Sequence, residues 1–260
     1  MNDVIKITNL TTHYGPTRIL NNIDLTIRRG EIMVIMGGSG SGKSTLLRHM
    51  LALNHPTSGI IEILGSNIWK ISAVELNLLR QKMGVAFQGG ALFGSMTVEE
   101  NIAFPLRELT RLDDETIKIM TRIKLEIVNL SGYGHLMPAE LSGGMIKRAA
   151  VARAIIMDPK ILFFDEPSAG LDPVVSAELD DLILNLRDAL NITIVVVTHE
   201  LDSTYKIADR VTVVDRGDLL MVGTVAELKS SDNEKIQNLI NRQSRKQDIN
   251  ADEYLSRLTK

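Results

Sequence analysis

One nine-residue stretch, Gly37-Gly38-Ser39-Gly40-Ser41-Gly42-Lys43-Ser44-Thr45, limits what this chain can become more than any other. It spells G-x-x-x-x-G-K-[ST], a loop pattern that binds phosphate when a strand precedes it and a helix follows. The apolar run Ile32-Met33-Val34-Ile35-Met36 before it suits a buried parallel strand, and Leu46-Leu47-Arg48-His49-Met50-Leu51 after it reads as helix. A polyphosphate carries several negative charges, so many donors must converge on it with no side chains in the way. Glycines let backbone N–H groups turn inward, and the helix N-terminus adds its partial positive charge. In that arrangement Lys43 reaches the β- and γ-phosphates of a nucleoside triphosphate, and the Ser44 hydroxyl is placed to ligate Mg²⁺. A flexible glycine-serine linker is the alternative, and the ordered runs on both sides argue against it.

The rest of the chain must supply a sheet for that strand. At 260 residues it has room for one large α/β domain or a domain with a sizeable insertion, and 44% hydrophobic residues support a real core. A net charge of -3 argues against a general nucleic-acid binder. Cysteine is absent, which removes disulfide and thiol chemistry and suits the cytosol. The first residues lack the charged-then-apolar layout of a signal peptide, and no apolar run approaches the ~18 residues that span a bilayer. Any membrane role is therefore expected to come through a partner.

Strand signals fill the opening third. Residues 4–8 and 23–27 alternate with period two, Arg29-Gly30-Glu31 makes a turn, and Gly59-Ile60-Ile61-Glu62-Ile63-Leu64-Gly65 is a strand bounded by glycines. A helix is predicted over 72–82 with Ser72 and Glu75 at capping-box spacing, followed by a buried strand over 84–88 that ends at Gln88. From 97 to 157 the pattern turns mostly helical, opening on the capping-box spacing of Thr97 and Glu100, and reads as a helical insertion. Three apolar runs, 161–164, 192–197 and 211–214, then resume the sheet, and the helical stretches between them predict parallel pairing. In the polar tail Ile236, Leu239 and Ile240 share one helical face, as do Tyr254, Leu255 and Leu258; a frayed tail and a docking segment explain them equally well.

Two further constellations carry chemistry. Ile161-Leu162-Phe163-Phe164-Asp165-Glu166 is an apolar strand ending in two carboxylates, the Walker B arrangement. Asp165 would hold the metal beside Ser44, and Glu166 would orient and deprotonate an attacking water. Leu141-Ser142-Gly143-Gly144-Met145 opens a helix over 146–157 that carries Lys147, Arg148 and Arg153. Ser142 is a good N-cap and the paired glycines allow close approach, so this is a second anion-binding helix start or an ordinary capped helix.

Taken in order, the P-loop, Gln88, Leu141-Ser142-Gly143-Gly144, Asp165-Glu166, Ser168-Ala169-Gly170-Leu171-Asp172 and His199 resemble the nucleotide-binding subunit of ABC transporters, over roughly residues 4–228. The resemblance implies a P-loop NTPase with a RecA-like α/β core and mostly parallel sheet, an N-terminal antiparallel β subdomain and an inserted α-helical subdomain. It implies an ATPase domain over 1–230 and a C-terminal helical extension over 231–260. Two copies would sandwich two ATP molecules, with Ser142, Gly143 and Gly144 of one completing the P-loop site of the other. By position Tyr14 would stack on adenine, or else pack in the core. Gln88 would contact the metal or the attacking water, or else sit at a solvated strand end. Asp172 would join a dimer-spanning loop, or simply begin a turn before Pro173. His199 would contact the γ-phosphate, or be structural. No role falls to His13, His49, His55 or His135.

Met145 departs from the family, which usually has glutamine there. Together with the run from Gln88 to Leu106 it makes the chain similar to the ATPase subunit of Mla-type phospholipid transporters of the Gram-negative envelope. That resemblance implies a multipass permease, a periplasmic MCE-domain lipid-binding protein and a small STAS-domain protein as partners, with the ATPase held at the cytoplasmic face of the inner membrane. Ala91, Leu92, Phe93 and Phe104 would line the groove for the permease, or pack in the core. A transporter of another solute, a soluble ABC-type ATPase and, more remotely, a P-loop kinase are the alternatives.

Overall fold

The computed structural model describes residues 3–241. Tyr254, Leu255, Leu258 and the expected extension beyond 241 lie outside the described residues. In chain order the strands are β1 (Asp3–Tyr14), β2 (Thr17–Arg28), β3 (Ile32–Met36), β4 (Ser58–Ile63), β5 (Ser66–Asn67), β6 (Met83–Ala86), β7 (Ile161–Asp165), β8 (Thr193–Thr198), β9 (Arg210–Asp215) and β10 (Asp218–Gly223). The α-helices are α1 (Lys43–Met50), α2 (Ala73–Arg80), α3 (Val98–Leu109), α4 (Asp114–Ile127), α5 (Gly143–Ala154), α6 (Pro173–Leu190), α7 (Leu201–Ile207), α8 (Val225–Lys229) and α9 (Glu234–Ile240).

Two sheets form. The first is antiparallel, in the order β2-β1-β4-β5, and the second runs β10-β9-β3-β8-β7-β6. In the second sheet every pairing is parallel except β9 with β10. Every residue of β3 and β8 is buried, as expected of central strands covered on both faces. Alternation then sorts their side chains into two cores. Ile32, Val34, Leu162, Phe164, Ile194 and Val196 join the core built with α3, α5 and α6. Their neighbours Met33, Ile35, Ile161, Phe163, Val195 and Val197 join the core shared with α1 and the antiparallel sheet.

Residues 97–157 hold α3, α4 and α5, and both expected capping boxes, Ser72 with Glu75 and Thr97 with Glu100, are present. Ala149, Val151 and Ala152 of α5, and Ile155 just beyond its end, pack into the same core as the sheet, so the helical segment is laid on one sheet face.

Three features differ from the sequence reading. Strand β10 was not anticipated; Arg216 (φ 49°) and Gly217 (φ 85°) make a two-residue turn with both φ positive, a tight hairpin connection. Strand β6 stops at Ala86 and is the sheet edge, so Met83 and Val85 are only partly buried. In the tail, Ile236 is fully buried and Leu239 and Ile240 pack beside it against Met36, Leu201, Val211, Val213 and Leu228. That face is spent on the chain's own core.

Candidate functional site

The C-terminal ends of the parallel strands gather the chemistry, as the topology of open α/β sheets leads one to expect. Met36, the last residue of β3, pairs with Thr198 of β8, and Asp165 of β7 pairs with Val197 of β8. The loop after β3, the carboxylates after β7 and His199 after β8 therefore leave one edge side by side.

Two glycines make the phosphate loop possible. A Cβ on Gly37 would lie 2.2 Å from the Val214 carbonyl oxygen, and Gly42 sits at φ 109° with Leu20 Cδ2 2.8 Å from any added Cβ. Gly42 is also the N-cap of α1, which has no side-chain cap, so the first N–H groups of the helix are left for another acceptor. Ser39, Gly40 and Ser44 are exposed, whereas Gly37, Ser41, Lys43 and Thr45 are buried. Lys43 Nζ donates to the Gly37 and Gly38 carbonyls at 2.8 and 3.1 Å, curling over its own loop. Burial pushes the Lys43 ammonium below its ordinary pKa, and the nearby Glu166 and Asp165 carboxylates oppose that shift.

Across from Lys43, burial raises the Asp165 carboxyl and the Glu166 charge raises it further, while Arg48, Lys43 and Lys147 pull it down. Glu166 adopts a left-handed backbone at φ 47°, which costs a non-glycine residue about 1–2 kcal/mol. Its N–H donates to the Val197 carbonyl at 2.8 Å, and His199 Nδ1 lies 2.8 Å from its carboxylate. The carboxylate can only accept, so Nδ1 carries the proton of that bond. Gln88, beyond β6, has an exposed side chain, and its carbonyl accepts from Lys147 Nζ.

The second glycine motif is built differently. Ser142 Oγ accepts from Met145 N at 3.3 Å and caps α5, with Ser142 and Gly143 exposed. Met145 is half-buried against the core of the helical segment. Asp172 caps α6, accepting from Val174 N and Val175 N at 3.0 Å each. Tyr14 is 45% exposed, which removes core packing as its role, and its hydroxyl accepts from Asn54 Nδ2 at 3.0 Å. The structure thus gathers Lys43, Asp165, Glu166 and His199. Among the described residues no hydrogen bond or ion pair ties Tyr14, Ser142, Gly143, Gly144 or Asp172 to that group.

Some participants carry no motif signal. Lys147 bonds both Gln88 and Glu166, and Arg153 donates to the Gly90 and Ala91 carbonyls at 2.9 and 2.8 Å. The available hint was three cations, Lys147, Arg148 and Arg153, on a helix otherwise rich in alanine and glycine. Phe93 is 45% exposed and packs on Phe104 at 5.0 Å between ring centroids, so this pair is a surface cluster beside the Gln88 loop.

Residues 20–169 match the family model described as ABC transporter. The chain belongs to the ABC transporter family. Among its relatives are the intermembrane phospholipid transport system ATP-binding protein MlaF of Haemophilus influenzae, 41% identical over 88% of this chain and 87% of the relative, and that of Escherichia coli K12, 41% identical over 87% and 84%. A probable ribonucleotide transport ATP-binding protein of Mycobacterium tuberculosis, mkl, is 41% identical over 91% of this chain; the chain spans 66% of that relative's length. Solved ABC cassettes share the architecture. cbiO1 of Clostridium perfringens, part of an ABC transporter complex, aligns with a TM-score of 0.83 at 29% identity over 93% of this chain and 94% of its own. A dimeric ATP-binding cassette in a post-hydrolysis state bound to ADP and Pi aligns with a TM-score of 0.78 at 30% identity over 85% and 98%.

Proposed function

We propose that this chain is the ATP-hydrolysing subunit of an ABC transporter that moves phospholipid between the inner and outer membranes of a Gram-negative envelope. The observation that carries hydrolysis is Glu166, aimed by His199 at 2.8 Å and facing Lys43 across the ends of the sheet. The uncapped start of α1 and the Lys43 ammonium bind the triphosphate, and Tyr14 offers an exposed ring for the adenine. Exposed Ser44 and half-buried Asp165 fit Mg²⁺, which takes few protein ligands and fills its shell with phosphate oxygens and water. Bound there, the ion neutralises charge on the phosphates.

Glu166 takes the proton of an attacking water, His199 holds that carboxylate and reaches the γ-phosphate, and the Gln88 amide orients the water or the metal. No covalent enzyme intermediate is needed. Among the described residues Ser142, Gly143 and Gly144 present donors with no side-chain ammonium or carboxylate bonded to them, so we place them on the ATP of a second copy, with Asp172 at the contact between copies. The dimeric cassettes of similar fold support that pairing. Closure on ATP and opening after hydrolysis would drive the transporter through the Gln88 region.

No helix among the described residues is long and apolar enough to cross a membrane. By likeness to its transporter relatives we assign the chain to the cytoplasmic face of the inner membrane, held by a multipass permease that meets Ala91, Leu92, Phe93 and Phe104. An MCE-domain lipid-binding protein and a small STAS-domain protein complete the proposed complex, and we assign no nucleic acid. We take residues 1–230 as the ATPase domain, with 97–157 as its helical subdomain and 231–260 as an extension. The names of the two MlaF relatives support phospholipid as cargo, and the name of the mycobacterial relative points to a different solute.

Co-purification of the tagged chain with its membrane subunits, followed by mass spectrometry of what they retain, separates those cargoes. Bound phospholipid and lipid-stimulated ATPase activity are expected. A complex that retains a nucleotide in the permease and ignores lipid would end the phospholipid assignment.

A further inference from the structure

Lys147 lies near the start of α5, five residues beyond Ser142, and its side chain is buried. Its ammonium leaves the helix and donates to two carbonyls from distant parts of the chain. One belongs to Gln88, 59 residues away, and the other to Glu166, 19 residues away at 3.3 Å. Among the described residues it is the one side chain bonded to both. Arg153, further along the same helix, holds Gly90 and Ala91 but does not reach Glu166.

The Glu166 bond matters because that residue is strained. A left-handed glutamate persists only where its surroundings over-determine it. Its surroundings supply four restraints: its N–H on Val197, its carboxylate on His199, and its carbonyl on both Ala169 N, at 3.2 Å, and Lys147 Nζ. Without Lys147 the carbonyl keeps only the local bond from Ala169 N and loses its tie to α5, which frees the peptide and the side chain it carries to shift relative to Gln88. A buried ammonium is expensive unless its donors are used and opposite charge is near. Both conditions hold, since Asp165 and Glu166 offset the downward pull of burial on Lys147.

We infer that Lys147 is a positioning residue for ATP hydrolysis: it fixes the Gln88 and Glu166 backbones to the start of α5, so that the base keeps its aim at the reacting water. The inference rests on the hydrolytic reading above. It also means that any shift of the Ser142 end of α5 is delivered to Gln88 and Glu166 of the same chain.

The test compares the full chain with Lys147→Met and Lys147→Arg, measuring ATP affinity by fluorescent-nucleotide titration and turnover at saturating ATP. For Lys147→Met, kcat should fall about ten- to a hundredfold, the scale set by a misplaced catalytic group. Its ATP affinity should stay at the wild-type value, because neither bond touches the phosphate loop. Lys147→Arg, which keeps the charge and the donors, should recover most of the loss. Wild-type turnover in Lys147→Met overturns the inference, as does an equal loss of affinity and turnover, or an arginine variant no better than methionine. Should Lys147→Met fail to fold, Lys147→Gln carries the same criteria, since its shorter side chain reaches at most one of the carbonyls. Failure of the hydrolytic reading itself looks different: Glu166→Gln would then turn over normally in the otherwise wild-type chain.

Discussion

Two helices of this protein begin at glycine-rich loops, and they are prepared for anions in different ways. At α1 the cap is Gly42, no side chain closes the first turn, and a buried lysine sits among loop carbonyls opposite two carboxylates. At α5 the cap is Ser142, whose hydroxyl already holds Met145 N, and the cations Lys147 and Arg153 turn back into their own chain. The first start has charge, a metal-compatible carboxylate and a base. The second has an exposed serine and glycines alone. On the proposed function, a phosphate is gripped and cleaved at α1, and α5 adds donors to a phosphate held elsewhere. That asymmetry, more than the motif spelling, is the physical reason to expect two copies around each nucleotide.

The largest expected effect falls on the α1 side. Glu166→Gln keeps the size of the side chain and its place beside His199 but cannot accept a proton. Turnover should drop about 10²–10⁴-fold, the range for loss of a general base, while ATP binding persists and a nucleotide-bound dimer accumulates on size-exclusion chromatography. Normal turnover would erase the distinction between the two helix starts.

Next in size is a paired comparison of Lys43→Ala with Ser142→Ala. The lysine variant should lose about ten- to a hundredfold in ATP affinity for the isolated chain, the equivalent of a charge-assisted bond worth roughly 1.5–3 kcal/mol. Ser142→Ala should leave that affinity alone and instead cost about 1 kcal/mol of stability through the lost cap. The ATPase activity of the serine variant should fall at concentrations where the wild type pairs. Calorimetric titration of both variants decides the matter, and equal affinity losses would mean that each chain folds its α5 start onto its own nucleotide.

How much of this was legible beforehand follows from the range of each interaction. Strand β3, the start of α1, the Ser142 cap and the acidic end of β7 are local patterns, so a window of a dozen residues contains them. The two capping boxes were readable for the same reason. The Lys147 tie spans 59 and 19 residues and leaves only a cation on a helix as its trace. Strand β10 escaped although Leu219-Leu220-Met221-Val222 is a continuous apolar run: its residues are all partly exposed but for Gly223, and the run shows no period-two alternation to mark it as a strand. His49 escaped too: it reads as a polar interruption in α1, yet it is fully buried.

That histidine supplies the smallest and most selective test. His49 Nε2 lies 2.8 Å from Thr12 Oγ1, and Nδ1 lies 2.8 Å from the Asn54 carbonyl. The carbonyl can only accept, so Nδ1 carries the proton and Nε2 accepts from the threonine in the neutral ring. Asn54 in turn donates to Tyr14, which links the core of α1 to the proposed adenine platform. Burial pushes the His49 pKa below 6.5; the Asn54 carbonyl resists and the charge of His55 assists. The unfolded chain therefore takes up the proton first. Stability from this group is fully present above about 6.5 and is lost as pH falls through the lower folded value. Helix α5 contains no histidine, so this particular linkage belongs to the α1 side. Melting curves between pH 7.5 and 5.5 should show the wild type losing more than His49→Gln, at about 2–4 °C per kcal/mol for a chain of this size. ATP affinity should decline in parallel through Tyr14. Superimposable pH profiles for the two proteins would show that the buried ring carries no proton-linked stability, and that α1 owes its readiness to its glycine cap and lysine alone.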